Sequence, residues 1–520
     1  MLFNSYEFIF LYLPITLVGF FIIGERFHHR IAIAWLVGAS LFFYGWWNPA
    51  YIGLIIGSML FNYAIGIPLA SQTPSRSKKT LLIIGISINL GLLGYYKYAN
   101  FFVSNLNHIF QNDFNMREII LPLAISFFTF QQITYIVDAY RGETREYNFL
   151  HYCLFVTFFP QLIAGPIVHH REMLPQFSST SNYKFCSRNF AVGLTIFLFG
   201  LFKKAVLADG IAVYSTSAFS IADSGVALTF FEALGGAIAY TMQLYFDFSG
   251  YSDMAIGVSR MFGIRLPLNF NSPYKSTNII IFWRRWHITL SRFLRDYLYI
   301  PLGGNRKGFS RKHINLIITM LLGGLWHGAG WNFVIWGGLH GIFLSVNQTW
   351  RHIFPASNSQ GRLRKMSSWL ITFLAVILAW VPFRAETLQG TINIWKGMLG
   401  LNGISLPPGL SNRLEPLTAW LPGKIILYNG MFSQINIDSG ATMIIWIVGL
   451  TAIALLFPNT QQIMHRYRPA FETYKEEYSR LSWTWLEWRP TTIWTLAIII
   501  ISIMDVLALS NISEFLYFQF

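Results

Sequence analysis

The stretch IAIAWLVGASLFFYGWWNPAYIGLIIGSMLFNYAIGIPLASQTPS, residues Ile31–Ser75, contains no Asp, Glu, Lys or Arg. A helix crosses the hydrocarbon core of a bilayer with roughly 20 apolar residues, so this stretch is long enough for two crossings. A second charge-free stretch runs from His313 to Trp350. Two such stretches in one chain predict a helical protein that crosses a membrane several times.

The composition of the whole chain agrees with this prediction. Its 520 residues are 54% hydrophobic and 12% charged, whereas a soluble protein is about 25% charged. Apolar segments recur along the chain, so we expect an all-α polytopic protein with roughly 11–13 transmembrane helices and additional re-entrant or interfacial helices. This class excludes a disordered chain and a secreted disulfide scaffold. No long polar linker divides residues 1–520, which predicts one membrane domain.

Loop charges predict the orientation, because Lys and Arg accumulate in cytoplasmic loops. Basic residues cluster at 76–79, 306–312 and 351–365, and these loops are expected inside, together with the charged stretch 466–489. The segment 384–440 is rich in Pro and Gly and is expected outside. The alternation places both termini outside. The net charge of +15 therefore indicates membrane topology, and we expect no nucleic-acid partner.

The densest break in the low-charge pattern is NFNSPYKSTNIIIFWRRWHITLSRFLRDYLYIPLGGN, residues Asn269–Asn305. Asn271 or Ser272 followed by Pro273 predicts a helix start, and we expect one helical span over Ile279–Ile300. That span carries five charged side chains and a histidine among aromatic ones: Arg284, Arg285, His287, Arg292, Arg295 and Asp296. Charges within a membrane are functional candidates. An amphipathic helix at the cytoplasmic interface and a helix lining a wet cavity both fit.

A histidine lies within the second charge-free stretch, in LGGLWHGAGWNFVIWGGLH, residues Leu322–His340. His327 follows Lys312 by 15 residues, or about 22 Å along a helix, which places it deep in the membrane or toward its outer half. A lone histidine on an apolar face is commonly a satisfied core residue. The surrounding glycines, however, permit close approach of another backbone or of a substrate, so a functional role stays open. We interpret His340 as structural.

Two acids lie in YFDFSGYSDMAIG, residues Tyr245–Gly257. Asp247 and Asp253 can cap helices, pair with the arginines of the basic span, or bind a cation in a transporter, and we favour capping or pairing. The histidine pairs at 28–29 and 169–170 lack Cys or carboxylate partners at metal spacing, so we predict no metal site. We also expect no tightly bound cofactor.

The chain ends with EFLYFQF, residues Glu514–Phe520, within the C-terminal tail 511–520. An aromatic belt at the membrane surface after the last span is one interpretation. The other is chemical, because Tyr517 places a phenol of pKa about 10 near the end of the chain.

These motifs together resemble the membrane-bound O-acyltransferase superfamily, and within it the bacterial alginate O-acetylase subfamily. The resemblance rests on five stretches: Ser40–Trp47 (SLFFYGWW), Phe159–Pro166 (FPQLIAGP), Asp247–Asp253, Asn269–Gly304 and Leu325–Gly328 (LWHG). It covers nearly the whole chain and is most specific over residues 165–341.

The resemblance implies helices around a central tunnel in the bacterial inner membrane, through which acetyl groups pass from cytoplasmic acetyl-CoA toward an extracytoplasmic polysaccharide. It implies that His327 is the catalytic histidine and that His287 is a second one. Related D-alanyl-transfer systems present a C-terminal aromatic-tyrosine motif as acyl acceptor, which implies a carrier role for Tyr517. The expected donor- or substrate-binding residues are Arg284, Arg285, Arg292, Arg306, Lys307, Trp326 and Asn271. For the loop cations, a plain topology signal is the alternative.

The acceptor implied by the resemblance is alginate or a similar exopolysaccharide, and peptidoglycan is the alternative. A separate periplasmic serine-type acetyltransferase is expected as partner, because the extracytoplasmic segments contain no serine-hydrolase motif. Two further hypotheses stay open. One keeps the enzyme class but makes a lipid or a protein the acceptor. The other is a transporter or flippase that uses Asp247 and Asp253, which predicts ion-driven movement without acyl transfer.

Overall fold

The fold was examined in a computed structural model, which describes residues 1–71, 76–112, 114, 119–143, 148–355, 361–410, 426–435, 440–471, 484–510 and 516. These residues are almost entirely helical. The strands among them are two-residue segments, β1 (Ile404–Ser405) and β2 (Ile426–Leu427), which pair in parallel. The predicted all-α class is confirmed.

The first nine α-helices are α1 (Leu13–Arg26), α2 (His29–Gly45), α3 (Ala50–Leu69), α4 (Arg76–Leu93), α5 (Ala99–Phe110), α6 (Ile125–Arg141), α7 (Phe149–Thr157), α8 (Phe159–Leu162) and α9 (His170–Phe177). The next nine are α10 (Ser187–Leu201), α11 (Asp209–Asp223), α12 (Phe230–Met261), α13 (Ile279–Arg285), α14 (Ile288–Leu294), α15 (Phe309–His327), α16 (Trp331–Ile353), α17 (Arg362–Arg384) and α18 (Leu388–Met398). After the strands come α19 (Gly440–Leu456), α20 (Thr460–Ile463) and α21 (Thr492–Ala508).

Several helices are long and apolar enough to cross a membrane. Within the described residues there are five such segments: Glu7–Arg26, Ala50–Leu69, Arg76–Phe110, Ser187–Asp223 and Arg362–Arg384. Helices α19 and α21 are shorter but equally apolar. The two longest segments are continuous because π-helical turns join α4 to α5 and α10 to α11. The chain is therefore a multi-pass membrane protein, while the number of crossings stays a prediction.

Helix α12 runs through the centre of the fold, and nearly all of its residues are buried. The apolar sequence Phe230–Phe246 predicts a span of 17 residues, but the helix continues to Met261. Helix α10 packs along it at glycine contacts. A Cβ atom on Gly257 would lie 2.6 Å from the carbonyl oxygen of Gly193, so only glycine allows this approach, as is typical of helix pairs in membranes.

The two acids of α12 are each paired with a lysine. Asp247 Oδ1 lies 2.7 Å from Lys204 Nζ, and Asp253 Oδ2 lies 2.6 Å from Lys203 Nζ. Buried charges persist when they are paired. Helix capping and pairing with the arginines of residues 284–295 were both wrong predictions for these acids, because the neighbouring helical segment supplies the partners.

The predicted continuous helix over Ile279–Ile300 is also wrong, because the chain breaks it between α13 and α14. Trp286 is extended, and His287 takes a left-handed conformation with φ of +42°. A residue other than glycine is uncommon in this region. The break changes the direction of the chain at His287 and removes that histidine from a helix surface.

An earlier segment satisfies the backbone groups that the break releases. The N–H of Asn271 donates to the Arg285 carbonyl at 3.0 Å, and the N–H of Ile288 donates to the Asn269 carbonyl at 3.0 Å. Asn278 caps α13, since its side chain accepts from the N–H of Ile281. The helix start predicted at residues 271–273 is only a short 3-10 turn.

Candidate active site around His327 and His287

His327 is the last residue of α15 and lies in an aromatic enclosure. Its ring centroid is 5.0 Å from that of Trp336 and 5.1 Å from that of Phe383. The helix ends here because Gly328 is extended. The side chain is buried, with 7% of the residue exposed. His327 is thus buried within the protein, and its depth in the membrane stays a prediction.

The glycines near His327 bring α15 and α16 into close contact. A Cβ atom on Gly324 would lie 2.2 Å from the carbonyl oxygen of Phe333, and one on Gly337 would lie 2.3 Å from that of Met320. One on Gly328 would meet the Phe333 ring at 2.1 Å. These glycines were expected to permit close approach of another backbone or of a substrate. The structure shows backbone atoms of the facing helix and the Phe333 ring against them. They hold the end of α15 against the beginning of α16.

The break at His287 brings a second imidazole to His327. The two ring centroids are 6.4 Å apart. His287 Nδ1 lies 3.0 Å from Asn269 Oδ1, which also accepts from the backbone N–H and the hydroxyl of Thr289. Because the backbone N–H of Thr289 can only donate, the Asn269 atom that it contacts is the amide oxygen. His287 Nδ1, which contacts the same oxygen, must therefore be a donor. Its Nε2 is then the lone-pair nitrogen.

Lys97 is a residue that the sequence analysis missed. Its Nζ donates to the carbonyl oxygens of Trp326 and His327, the last of these at 3.1 Å. The final carbonyls of a helix have no partner within the helix, and a cation at that end interacts favourably with the helix dipole. A signal was available, because Lys97 is the only charge between Lys79 and Asp113. An isolated charge in an apolar segment is a functional candidate.

Replacing Lys97 by Met is expected to destabilise the end of α15. Two buried carbonyls would lose their donor, which costs about 1–3 kcal/mol, so the apparent melting temperature of the purified protein in detergent should fall. The control is Lys79→Met, because Lys79 is exposed near the beginning of α4 and its loss should leave the melting temperature unchanged. Equal melting temperatures for both variants would contradict the assigned role.

A basic cavity of about 540 Å³, here called the α14–α15 cavity, lies on one side of the histidines. Four cations line it: Arg284, Arg292, Arg295 and Lys312. Trp283 forms part of its apolar wall. This ring packs against Trp336 at 5.8 Å, and Trp336 packs against His327. Two aromatic rings in series, Trp283 and Trp336, therefore lie between the cavity and the imidazole.

The predicted donor-binding cations divide into two groups. Arg284 and Arg292 line the α14–α15 cavity, whereas Arg285, Arg306 and Lys307 do not. Arg292 makes two hydrogen bonds to the Glu172 carboxylate, at 2.6 and 3.0 Å, which fixes its position in the wall. The basic loop at residues 306–312 contributes Lys312 to the lining instead.

A second cavity, of about 620 Å³, lies between the beginning of α16 and the end of α17 and is called the α16–α17 cavity. Phe383 lines it and contacts His327. Asn332 holds its wall together by donating to the Ala385 carbonyl at 2.7 Å. Asn332 and Gln348 of the first cavity lie on the same helix, about 24 Å apart at 1.5 Å per residue. The two cavities therefore flank the histidines from opposite ends of α16.

The remaining predicted site residues lie as follows. Trp326 stands beside both histidines, with its ring 4.8 Å from His327 and 6.2 Å from His287. Asn271 lines neither cavity, and its Oδ1 accepts from Asn459 Nδ2 at 3.0 Å.

Tyr517 lies outside the described residues. Its neighbour Leu516 is 1% exposed and belongs to a cluster of buried apolar side chains. That cluster also contains Trp336 and Phe383, the two rings that enclose His327.

The other polar candidates show no open binding site. The carboxylates of Asp247 and Asp253 are engaged by lysines, as described above. In the part of the chain that the structure describes, no group of three or more His, Cys, Asp or Glu side chains is placed to hold a metal ion.

Comparison with known proteins gives a consistent set of relatives. The model of the membrane-bound O-acyltransferase family matches residues 138–383, which include both histidines. The chain is 48% identical over 432 residues to the peptidoglycan O-acetyltransferase of Helicobacter pylori, covering 78% of this chain and 81% of that protein. It is 43% identical over 404 residues to the probable alginate O-acetylase of Pseudomonas aeruginosa, covering 76% and 75%. It is 30% identical over 269 residues to the teichoic acid D-alanyltransferase of Bacillus subtilis, covering 49% and 65%.

Proposed function

Because this chain belongs to the membrane-bound O-acyltransferase family, we propose that it carries acetyl groups from cytoplasmic acetyl-CoA to the extracytoplasmic side of the inner membrane. The acceptor is a polysaccharide. That the chain is a membrane O-acetyltransferase follows from its family and relatives. The observation that carries the proposed direction is the pair of cavities on opposite sides of His327 and His287.

The α14–α15 cavity is the proposed donor site. Arginine and lysine bind phosphate oxygens through charge-assisted hydrogen bonds, and coenzyme A carries its phosphates at the end remote from the thioester. The cations of this cavity would hold the phosphates, and the apolar wall at Trp283 would direct the thioester toward His327. Lys312 lies at the beginning of α15, in the basic stretch 306–312 that is expected on the cytoplasmic side, which supports this orientation.

His327 is proposed as the general base. Its imidazole takes the proton of an acceptor hydroxyl as that oxygen bonds to the thioester carbonyl carbon. The carbon–sulfur bond then breaks, and the departing thiolate of coenzyme A receives the proton. The neighbouring His287 is held with Nε2 as the lone-pair nitrogen, so its available role is to accept a hydrogen bond from the hydroxyl or from a protonated His327.

Tyr517 is the proposed first acceptor. A thiol has a pKa near 8.5 and a phenol near 10, and an aliphatic alcohol is a weaker acid than either. Transfer from thioester to tyrosyl ester to sugar ester therefore proceeds from better to poorer leaving groups. Leu516 is buried among apolar side chains, which supports a tail that packs into the protein at this position. Both chain termini would be extracytoplasmic.

The acceptor polymer is proposed to be an exopolysaccharide related to alginate, reached through a periplasmic serine-type acetyltransferase. Peptidoglycan is the second candidate, favoured by the 48% identity to a peptidoglycan O-acetyltransferase. The ion-paired state of Asp247 and Asp253 argues against an ion-driven transporter.

Two measurements test the proposal. When no polymer is present, purified protein in liposomes should release coenzyme A from acetyl-CoA only up to the molar amount of the protein. A strain that lacks the protein should lose O-acetyl groups from its secreted polysaccharide while its peptidoglycan keeps them. Loss from peptidoglycan alone would select the second acceptor. Acetylation of lipid without either polymer would refute the polysaccharide proposal.

Arg284→Ala tests the donor cavity. Arg284 is exposed and lines the cavity. Its loss should raise the KM for acetyl-CoA about tenfold while kcat changes little. An interaction with the distal phosphates is the same in the ground and transition states, so it affects binding and not the chemical step. The comparison is Arg306→Ala, in the basic loop outside the cavity lining. A larger rise in KM for Arg306→Ala would place the phosphates on the loop instead.

A further inference from the structure

A third cavity, separate from the two beside the histidines, is lined by arginines. It measures about 760 Å³ and lies where the beginning of α10, the end of α12 and residues 466–468 and 488–490 meet. Its cations are Arg188, Arg260, Arg265, Arg466 and Arg468. Among the described residues, no Asp or Glu lines it. We call it the arginine cavity, and none of the roles assigned above uses it.

One of these arginines is buried with a hydrogen-bond donor that has no partner. Only 5% of Arg260 is exposed, and its Nε has no hydrogen-bond partner. Burial of a charged group is costly unless it is paired and hydrogen-bonded, and nearby like charges add repulsion. A concave site that gathers five cations around such a group is therefore suited to an anion.

The walls of the arginine cavity are fixed by backbone hydrogen bonds. The Gln176 side chain holds the backbone of Arg265 on both sides, accepting from its N–H at 2.8 Å and donating to its carbonyl at 3.1 Å. The N–H of Phe471 donates to the Leu266 carbonyl at 2.8 Å. These bonds join three distant parts of the chain, so the backbone that carries Arg265 is held in place.

The location of the cavity indicates the membrane surface. Tyr467 and Trp488 line it and pack edge to face, with ring centroids 5.0 Å apart. Tyrosine and tryptophan are enriched at membrane–water interfaces. The segment at residues 466–489 is expected in the cytoplasm from its charges, and basic pockets between helices on that side bind lipid headgroups.

We propose that the arginine cavity binds the phosphate group of an anionic ligand at the cytoplasmic surface of the membrane. Guanidinium groups bind phosphate oxygens in a bidentate way. The same chemistry can come from the headgroup of an anionic phospholipid or from a soluble phosphorylated molecule. The interfacial aromatic pair favours the lipid. Binding there would tie α10, α12 and residues 466–468 and 488–490 together.

The test uses the purified full-length protein and its thermal stability. Short-chain phosphatidylglycerol, phosphatidylcholine with the same acyl chains, and adenosine 3′,5′-bisphosphate are titrated separately. Phosphatidylglycerol should raise the melting temperature with saturation, and phosphatidylcholine should not. Saturation by the bisphosphate without phosphatidylglycerol, if weakened in Arg466→Gln, would keep the phosphate site and assign it to a soluble ligand. Bisphosphate binding that Arg466→Gln leaves unchanged would belong to the α14–α15 cavity and would not support the proposal.

Two variants connect the effect to this cavity. Arg260→Gln and the more exposed Arg466→Gln should each weaken the binding of the effective ligand about tenfold or more, and the second keeps the test decisive if the first does not fold. Arg362→Gln, an exposed arginine at the start of α17, should bind like wild type. Unchanged binding in Arg466→Gln and Arg260→Gln would overturn the proposal. So would equal responses to both lipids without bisphosphate binding, as expected if the glutamates of residues 472–483 neutralise the cavity.

Discussion

His327→Ala is expected to reduce acetyl transfer by about 10²–10⁴-fold, the usual contribution of a positioned general base. The imidazole lies at the end of α15 between the two cavities, and its removal leaves the acceptor hydroxyl without the proposed base. The measurement is release of coenzyme A by purified protein in liposomes, together with the O-acetyl content of the polymer in cells. Membrane abundance must match that of wild type.

The matched control is His340→Ala. His340 is fully buried in the same aromatic region, and its Nδ1 accepts from Trp283 at 3.2 Å. Removing it creates a similar void without removing the proposed base, so the melting temperature should fall as much as in His327→Ala while more activity remains. Full activity in His327→Ala at normal abundance would refute the catalytic assignment.

Tyr517→Phe is expected to abolish transfer to the polymer. The substitution keeps the aromatic ring and removes only the oxygen that would form the ester, so no acceptor atom remains for the first transfer. Mass spectrometry of the C-terminal peptide should find an acetyl group on Tyr517 in wild type after incubation with acetyl-CoA. That group should be absent from His327→Ala, because the phenol would lack its base.

The alternative for this tail is an aromatic belt at the membrane surface. That interpretation predicts normal polymer acetylation in Tyr517→Phe, since phenylalanine preserves the apolar ring. Phe518→Leu provides the comparison, because it alters the aromatic character of the tail without removing a hydroxyl. Impaired acetylation in Phe518→Leu with normal acetylation in Tyr517→Phe would support the belt and dismiss the carrier.

Much of the site was accessible from sequence because its signals are local. The motif around His327 identifies both a family resemblance and a polar residue in a charge-free stretch. The basic character of residues 284–295 predicts a cavity or an interface, and arginines of this segment do line a cavity. The roles of the individual side chains stay predictions.

Contacts between distant parts of the chain were not accessible. Lys97 is 229 residues from Trp326 along the sequence, and no periodicity links them. The partners of Asp247 and Asp253 are lysines of an adjacent helical segment, whereas the sequence pointed to nearby arginines. The left-handed conformation of His287 is also invisible in composition, because the segment around it has the residues of a continuous helix.

The order of residues along single segments is enough to predict a helical membrane protein, because the free energy of burying apolar residues in lipid depends on the residues in one segment. It also identified the family through short motifs. Only the tertiary structure decided which polar groups meet: the break that brings His287 to His327, the lysine that holds the end of α15, and the separation of the cavities by aromatic rings. These features depend on how buried charges and backbone groups find partners across the fold, and that pairing is a property of the packed chain.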